Sequence, residues 1–337
     1  MTRAILTCSE HFTELALNEL RRYHPQLTVL NQLSPQHIFI ENRGSFDDLT
    51  RPWRHKLPVY LHHLFPVHYQ SALEGTLQDL PGLRRSARQL IRRDVTVQAR
   101  ITGTHLLPYD ARQIEAALSR KKSRASPKIT PDARMLSVLT VSHADSVCVY
   151  LGVSWANQNI SPYLRGVQPF SEHLPNRAGF KLLEALRAFH IPISTGMEVL
   201  DLGAAPGAWT LIFVDHGACV TAVAPRAMYP WLMDSPQVRY FPLTAEDYLA
   251  KCDRTFDLIT NDMILDAQDS ARLMVDYASR LRTDGRAIMT LKLRQHNRRT
   301  VTDHALRILR QAYDIIHMRQ LVHNQKEVTL FLRRKCR

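Results

Sequence analysis

Asp201-Leu-Gly-Ala-Ala-Pro-Gly-Ala-Trp-Thr210 joins an apolar strand to an apolar helix through a turn of small residues. Gly203 and Gly207 let the backbone turn tightly and approach a ligand closely. Pro206 suits the first turn of the helix that follows. The spacing is G-x-x-x-G, so the dinucleotide fingerprint is not met, and no Lys-Ser/Thr follows to make a P-loop. A glycine turn at the carboxyl end of the first parallel strand still marks the ligand crevice of an α/β sheet, here shaped for a nucleotide-like ligand. Four ionisable residues collect at the same edge. Lys181 starts the helix "FKLLEALRAFH", Asp262 ends the strand "FDLITNDM", Lys292 ends "AIMTLKL" and Glu327 begins "EVTLFLR". Parallel strands finish at the ligand edge and an antiparallel strand begins there, so positions far apart in the chain converge.

The elements that must hold these residues follow from the pattern of the chain. From residue 180 to 337 apolar strands alternate with helices, which predicts a mostly parallel seven-stranded sheet wound with helices. The last two strands, separated only by "VHNQK", are expected to pair antiparallel at one edge. Upstream, residues 1–74 read strand, helix, strand, helix: "RAILTCS", an amphipathic segment with Phe12, Leu15, Leu17 and Leu20 at helical spacing, then "HIFIEN". Residues 75–160 form a second unit, with a strand at 94–103, a helix at 109–123 and two strands around a polar turn at His143–Ser146. The polar, Pro- and Gly-containing stretch 161–179 is expected to be a linker.

A chain of 337 residues suggests two or three domains, and 45% hydrophobic with 22% charged residues is ordinary for a soluble globular protein. Apolar runs are too short for a membrane span, and the first residues lack the apolar core and cleavage site of a signal peptide, so a cytoplasmic protein is expected. Cys8, Cys148, Cys219, Cys252 and Cys336 are scattered, and no Cys or His pair has metal-ligand spacing, so no metal is expected. The net charge of +13 predicts attraction to a polyanion, most naturally nucleic acid. The charge is clustered, in "LRRSARQLIRR", "SRKKSRASPK", "KLRQHNRR" and the terminal "RRKCR". Arg120, Lys121, Lys122 and Arg124 in the second cluster, and Arg294, Arg298 and Arg299 in the third, are the candidate RNA contacts.

"DLGAAPGAWT" closely resembles motif I of the FtsJ-like S-adenosylmethionine-dependent ribose methyltransferases, and "NRAGFKLLEA" resembles that family's entry helix. Lys181, Asp262, Lys292 and Glu327 reproduce its Lys-Asp-Lys-Glu tetrad in chain order. "LMDSPQVRY", "NDMILD", "TLKLRQHNRR" and "KEVTLFLRRK" look most like the THUMP-containing bacterial members that methylate a cytidine of large-subunit ribosomal RNA. This resemblance is dense over 170–337 and looser over 1–165, where "PKITPDARMLSVLTV" and the element order look like a THUMP domain. It implies a Rossmann-like class I methyltransferase domain preceded by ferredoxin-like and THUMP domains. It also implies S-adenosylmethionine as cofactor and RNA, a 23S rRNA or its precursor, as substrate. Cofactor contacts would come from Asp201, Gly203, Ala204, Ala205, Pro206, Gly207, Trp209 and Asp262, with Asp201 near the charged amino acid end. A ribose 2′-hydroxyl is a poor nucleophile until its proton is drawn off, which a partly neutral Lys292 could do. Lys181 beside it would lower its pKa, while Asp262 and Glu327 push the other way and hold both ammonium groups.

One position departs from the family. Its second strand ends in an acid that grips the cofactor ribose, whereas here "VTAVA" ends in Ala224. Losing such a bond pair costs about 1.5–3 kcal/mol, or about tenfold to a hundredfold in affinity, and Asp247 on the adenine side could offset part of it. Other methyl acceptors fit less well. Asn261-Asp-Met-Ile264 stands where enzymes of exocyclic amines carry Asn/Asp-Pro-Pro-aromatic, and Cys252 precedes the fourth strand rather than forming the Pro-Cys pair of pyrimidine C5 enzymes. Two functions remain open: an RNA ribose 2′-O-methyltransferase, and a non-catalytic RNA-binding or ribosome-assembly factor with a degenerate cofactor pocket. Ala224 favours the second, the tetrad the first.

Overall fold

Thr2–Cys8 (β1) buries five residues in succession, because both of its faces are covered. Ala4, Leu6 and Cys8 face the helix Thr13–Arg21, whereas Ile5 faces a second sheet. Such a two-sided strand reads as a continuous apolar run rather than an alternation. The computed structural model describes the chain apart from residues 55, 92–94, 105–106, 120–129, 144–145, 161–177, 295–296 and 336–337. It divides into two units, Met1–Leu164 and Arg165–Arg337.

The first unit holds two four-stranded sheets. Thr28–Ser34 (β2), His37–Asn42 (β3) and Leu61–Pro66 (β4) join β1 in the antiparallel order β2-β3-β1-β4. The expected strand-helix-strand-helix reading of this region omitted β2 and β4. β2 is an exposed, polar edge with no apolar alternation, and the histidines of "LHHLFP" disguise a fully buried strand. Tyr69–Leu73 (β5), Thr96–Gly103 (β6), Arg134–His143 (β7) and Ser146–Trp155 (β8) form the other sheet, ordered β5-β8-β7-β6, with β6 and β7 parallel. β5 falls within residues 1–74 of the sequence division yet pairs with β8. Helices Asp79–Leu90 and Ala111–Leu118 cover one face of this sheet. Its other face meets the first sheet through Ile5, Phe39, Phe65, Leu139, Val141 and Tyr150. The approach is close at Gly152, where a Cβ would lie 1.6 Å from the Pro66 carbonyl oxygen.

The second unit is one seven-stranded sheet: Glu198–Leu202 (β9), Cys219–Val223 (β10), Val238–Phe241 (β11), Phe256–Asn261 (β12), Leu281–Lys292 (β13), Tyr313–Arg319 (β14) and Glu327–Arg334 (β15). The order is β11-β10-β9-β12-β13-β15-β14. β9 to β13 run parallel, and β15 is antiparallel to both of its neighbours. The expected antiparallel pair is present, with β14 outermost and the last strand inside. Strand order reverses between β9 and β12, which opens a crevice at their carboxyl ends. Helix Ala178–Ala188 packs Leu182, Ala185 and Leu186 against Trp209, Ile212 and Phe213 of the helix Ala208–Asp215. Ala178 and Gly179, read from sequence as the end of a linker, belong to that helix, and the rest of the linker lies outside the described residues. Among the described residues no helix is long and apolar enough to cross a membrane, and no group of three acids, histidines or cysteines could hold a metal.

Candidate active site

The glycine turn leaves β9 with Gly203 at φ +74°, and the Gly203 and Ala204 amides both donate to the Val223 carbonyl, at 2.9 and 3.2 Å. A Cβ on Gly203 would lie 2.3 Å from Met263 Cγ, and one on Gly207 (φ +122°) 2.5 Å from Leu232 Cδ2. The bare backbone therefore lets the loops after β12 and β10 close against this turn. Gly207 is the N-cap of helix Ala208–Asp215, so Pro206 stands before the helix rather than in its first turn. Pro206 is exposed and Ala205 half-buried, while Ala204 packs with Ala222, Met228 and Leu232.

Two residues assigned from sequence to the ligand are turned into the protein instead. Asp201 is buried and accepts from Thr210 Oγ1 at 2.7 Å and Thr260 Oγ1 at 2.8 Å, which ties β9 to β12 and to the helix after the turn. Burial pushes its carboxyl up to about 6, against the pull of the two threonine hydroxyls. Trp209 is buried in the core and donates from Nε1 to the Ala178 carbonyl at 2.8 Å, fastening the turn to the helix that carries Lys181. Both residues brace the turn because the helix after it, Ala208–Asp215, has apolar residues on nearly every side and sits inside the unit. Ala224 is buried just past β10, its amide on the Phe241 carbonyl at 3.2 Å. Asp247 is exposed in the first turn of helix Ala245–Lys251, where its amide donates to the Thr244 side chain.

The four ionisable residues do meet. Lys181 Nζ lies 2.9 Å from Asp262 Oδ2 and 2.7 Å from Glu327 Oε1. Lys292 Nζ lies 2.6 Å from Asp262 Oδ1 and 2.5 Å from Glu327 Oε2. Each cation thus bridges both carboxylates, and each side chain is largely buried. Backbone register produces half of this square, since Lys292 and Glu327 are directly paired across β13 and β15. Helix Ala178–Ala188 supplies Lys181 one turn from its start, and Asp262 follows immediately on β12. Burial works to lower the Lys181 pKa, but the Asp262 and Glu327 carboxylates outweigh it and hold the amine above its ordinary value. Burial likewise works to raise Asp262, and Lys292 and Lys181 overcome it, holding that carboxyl below its ordinary value. Thr290 Oγ1 adds a 2.6 Å bond to Asp262 Oδ1.

Of the basic candidates, Arg294 is exposed and lines a cleft of about 350 Å³ together with Lys181, Lys292, His323, Lys326 and Glu327. Arg298 is half-buried and donates from Nε to the Leu293 carbonyl at 3.0 Å, so it also shapes the loop after β13. Arg299 is exposed and 4.0 Å from Asp303 one helical turn on. Arg120, Lys121, Lys122 and Arg124 lie outside the described residues. A larger hollow of about 670 Å³ opens at the opposite edge of the sheet, between Ile191–Met197 and Arg282–Arg286. It contains none of the interlocked lysines and acids, so the smaller cleft is the chemically equipped one.

Several contributors went unread in the sequence. Thr260 and Thr290 each stand two residues before a tetrad position, a period that puts them on the same face of the strand. Glu184 is three residues after Lys181, on the same side of its helix. It accepts from the Val322 and His323 amides at 2.9 and 3.0 Å and from His323 Nδ1 at 2.8 Å. Spacing could have flagged these three residues. Nothing local marks His323.

Residues 174–327 match the family model described as FtsJ-like methyltransferase. The chain is similar to proteins named ribosomal RNA large subunit methyltransferase M. That of Serratia proteamaculans is 32% identical over 202 residues, 56% of this chain and 54% of that protein. The counterpart from Pseudoalteromonas atlantica is 32% identical over 231 residues, 64% of each chain. That of Tolumonas auensis is 30% identical over 228 residues, 63% of this chain and 61% of that protein. The matched region thus spans between half and two thirds of these relatives' lengths. The glycine turn and the lysine–carboxylate square at the carboxyl edge of the sheet both fall within the residues that match the FtsJ-like methyltransferase model.

Proposed function

We propose that this protein is a cytoplasmic, S-adenosylmethionine-dependent RNA ribose 2′-O-methyltransferase acting on large-subunit ribosomal RNA or its precursor. The observation that carries this reading is the interlocked square of Lys181, Asp262, Lys292 and Glu327 beside the glycine turn. The turn suits a nucleoside-bearing cofactor, since Gly203 and Gly207 adopt backbone angles that favour glycine and let the chain turn tightly at the end of β9. S-adenosylmethionine, when bound, supplies an electrophilic methyl group. The Gly203–Gly207 turn would hold it, with Ala224 and Asp247 along its nucleoside side.

The chain's own residues handle the acceptor. Lys292 Nζ takes the proton of the ribose 2′-hydroxyl and later passes it to solvent. Lys181, held charged by its two carboxylates, orients the ribose-phosphate backbone. Asp262, held ionised and fixed by Thr290, aligns both amines, and Glu327 closes the square from β15. Alignment of a bound hydroxyl with its acceptor carbon can itself lower the barrier substantially.

The antiparallel order β2-β3-β1-β4, with helices after β1 and β3, supports a ferredoxin-like reading of the first residues. The second sheet and its two helices support a THUMP-like RNA-binding module, which would give affinity by shape and charge. The test is transfer of labelled methyl groups to an unmodified large-subunit rRNA transcript. Wild type should label it, 2′-deoxy substitution at the acceptor should abolish labelling, and Lys292→Ala should reduce the rate at least a hundredfold, on the order of general-base catalysis. Wild type that binds the transcript yet never labels it would leave the non-catalytic factor, favoured by Ala224, as the account.

A further inference from the structure

The link between β14 and β15 is not a loose hairpin. Glu184, buried on the helix that carries Lys181, takes three donors from it: two backbone amides and His323 Nδ1. Asn324, also buried, accepts from the Leu321 amide at 2.7 Å and from Thr329 Oγ1 at 3.1 Å. Gln320 donates to the Asn324 carbonyl at 3.1 Å, and the Leu293 amide just after β13 donates to the Lys326 carbonyl at 2.7 Å. The His323 ring stacks on Phe180 with centroids 5.5 Å apart. A seven-residue connection, 320–326, is thus clamped at three points, and the clamp fixes one side chain of the catalytic cleft, His323.

The clamp also fixes the tautomer. A carboxylate only accepts, so His323 Nδ1, 2.8 Å from Glu184, carries the proton, and Nε2 of the neutral ring is an acceptor. The tetrad's two lysines are matched by its two carboxylates, so among the described residues the cations left at the cleft are Arg294 and Lys326, both exposed and suited to phosphate. An imidazole nitrogen turned away from the carboxylate is suited to something else. Resting on the RNA reading above, we propose that His323 is a substrate-reading residue that accepts a hydrogen bond at Nε2 from a donor of the bound nucleotide, either a ribose hydroxyl or an exocyclic base amine. Glu184 is its positioning residue.

The full chain is titrated by fluorescence anisotropy with three probes: ribo-oligocytidylate, its 2′-deoxy form, and the ribo form dimethylated on the exocyclic nitrogen. His323→Ala is expected to weaken ribo-probe binding about three- to tenfold, the range of one neutral hydrogen bond. The salt slope should not change. The penalty should vanish on the deoxy probe if a hydroxyl is read, or on the dimethylated probe if the amine is. His323→Gln, which keeps an acceptor, should recover part of the affinity. Glu184→Gln sets an amide donor against the strap's N–H groups and should give the same probe-selective loss. Equal penalties on all three probes, or none, overturn the proposal. So does a salt slope reduced by about 0.7, which would mean an imidazolium on a phosphate. Methyl transfer to the rRNA transcript is followed in parallel. No transfer by wild type, with the probe-selective loss intact, refutes the enzyme and keeps the contact.

Discussion

At the scale of single residues, Ala224 stands buried just past β10 and offers no side-chain acceptor to the ribose of the proposed cofactor. Ala224→Asp should therefore tighten S-adenosylmethionine about tenfold by calorimetry, the worth of one charge-assisted bond pair. Unchanged or weaker binding would mean that the ligand does not pass that strand end. Asp201 makes a second residue-level prediction. Its folded pKa of about 6 lies above the ordinary carboxyl value, so between about pH 4 and 6 the folded state binds a proton that the unfolded state does not. This contribution to stability is present at low pH and is lost as pH rises through that window. Asp201→Asn should remove that downward slope, so its stability relative to wild type, by urea denaturation, should be higher at pH 7 than near pH 4. An equal difference at both would contradict the assigned shift.

At the scale of elements, the site depends on two strand ends and one turn being held in register. Lys292 and Glu327 face each other only because β13 and β15 pair as they do, and a one-residue slip would send Glu327 to the other face. The turn after β9 can be tested by contrast. Gly203 and Gly196 both have positive φ, at +74° and +78°, but only Gly203 has a neighbour within reach of a Cβ. Gly196→Ala should cost about 1 kcal/mol for its backbone angle alone. Gly203→Ala should cost about 2–3 kcal/mol and weaken cofactor binding as Met263 is displaced. Equal losses in chemical denaturation would show that the close approach to Met263 has no energetic weight.

For the whole molecule, the chain divides at 164/165. The glycine turn, the tetrad and the His323 strap all lie in the second unit, while two of the four basic clusters lie in the first. A fragment of residues 165–337 should bind S-adenosylmethionine within about twofold of the full chain, since every residue proposed to hold the cofactor lies within it. It should bind rRNA more weakly and with a shallower salt dependence, because each phosphate contact removed lowers the slope by roughly 0.7–0.9. An unchanged slope would place the whole electrostatic footprint on the second unit.

Several features of this protein are legible in its residues alone. Strand–helix alternation after residue 180, the glycine turn, and the order Lys181, Asp262, Lys292, Glu327 depend on period and position within an element. The sheet rule then brings Asp262, Lys292 and Glu327 together without any knowledge of packing, and the packing of helix Ala178–Ala188 adds Lys181. The tertiary structure decided what depends on distant partners. β4 is hidden in sequence by two histidines and is a strand because both of its faces are covered. Asp201 and Trp209 brace the turn from inside because most of the helix beside it is buried. Glu184 and His323 are 139 positions apart, and no periodicity spans that distance. Their pairing exists only because helix Ala178–Ala188 packs beside the end of β14, where a buried carboxylate must find donors and the strap's amides and imidazole supply them.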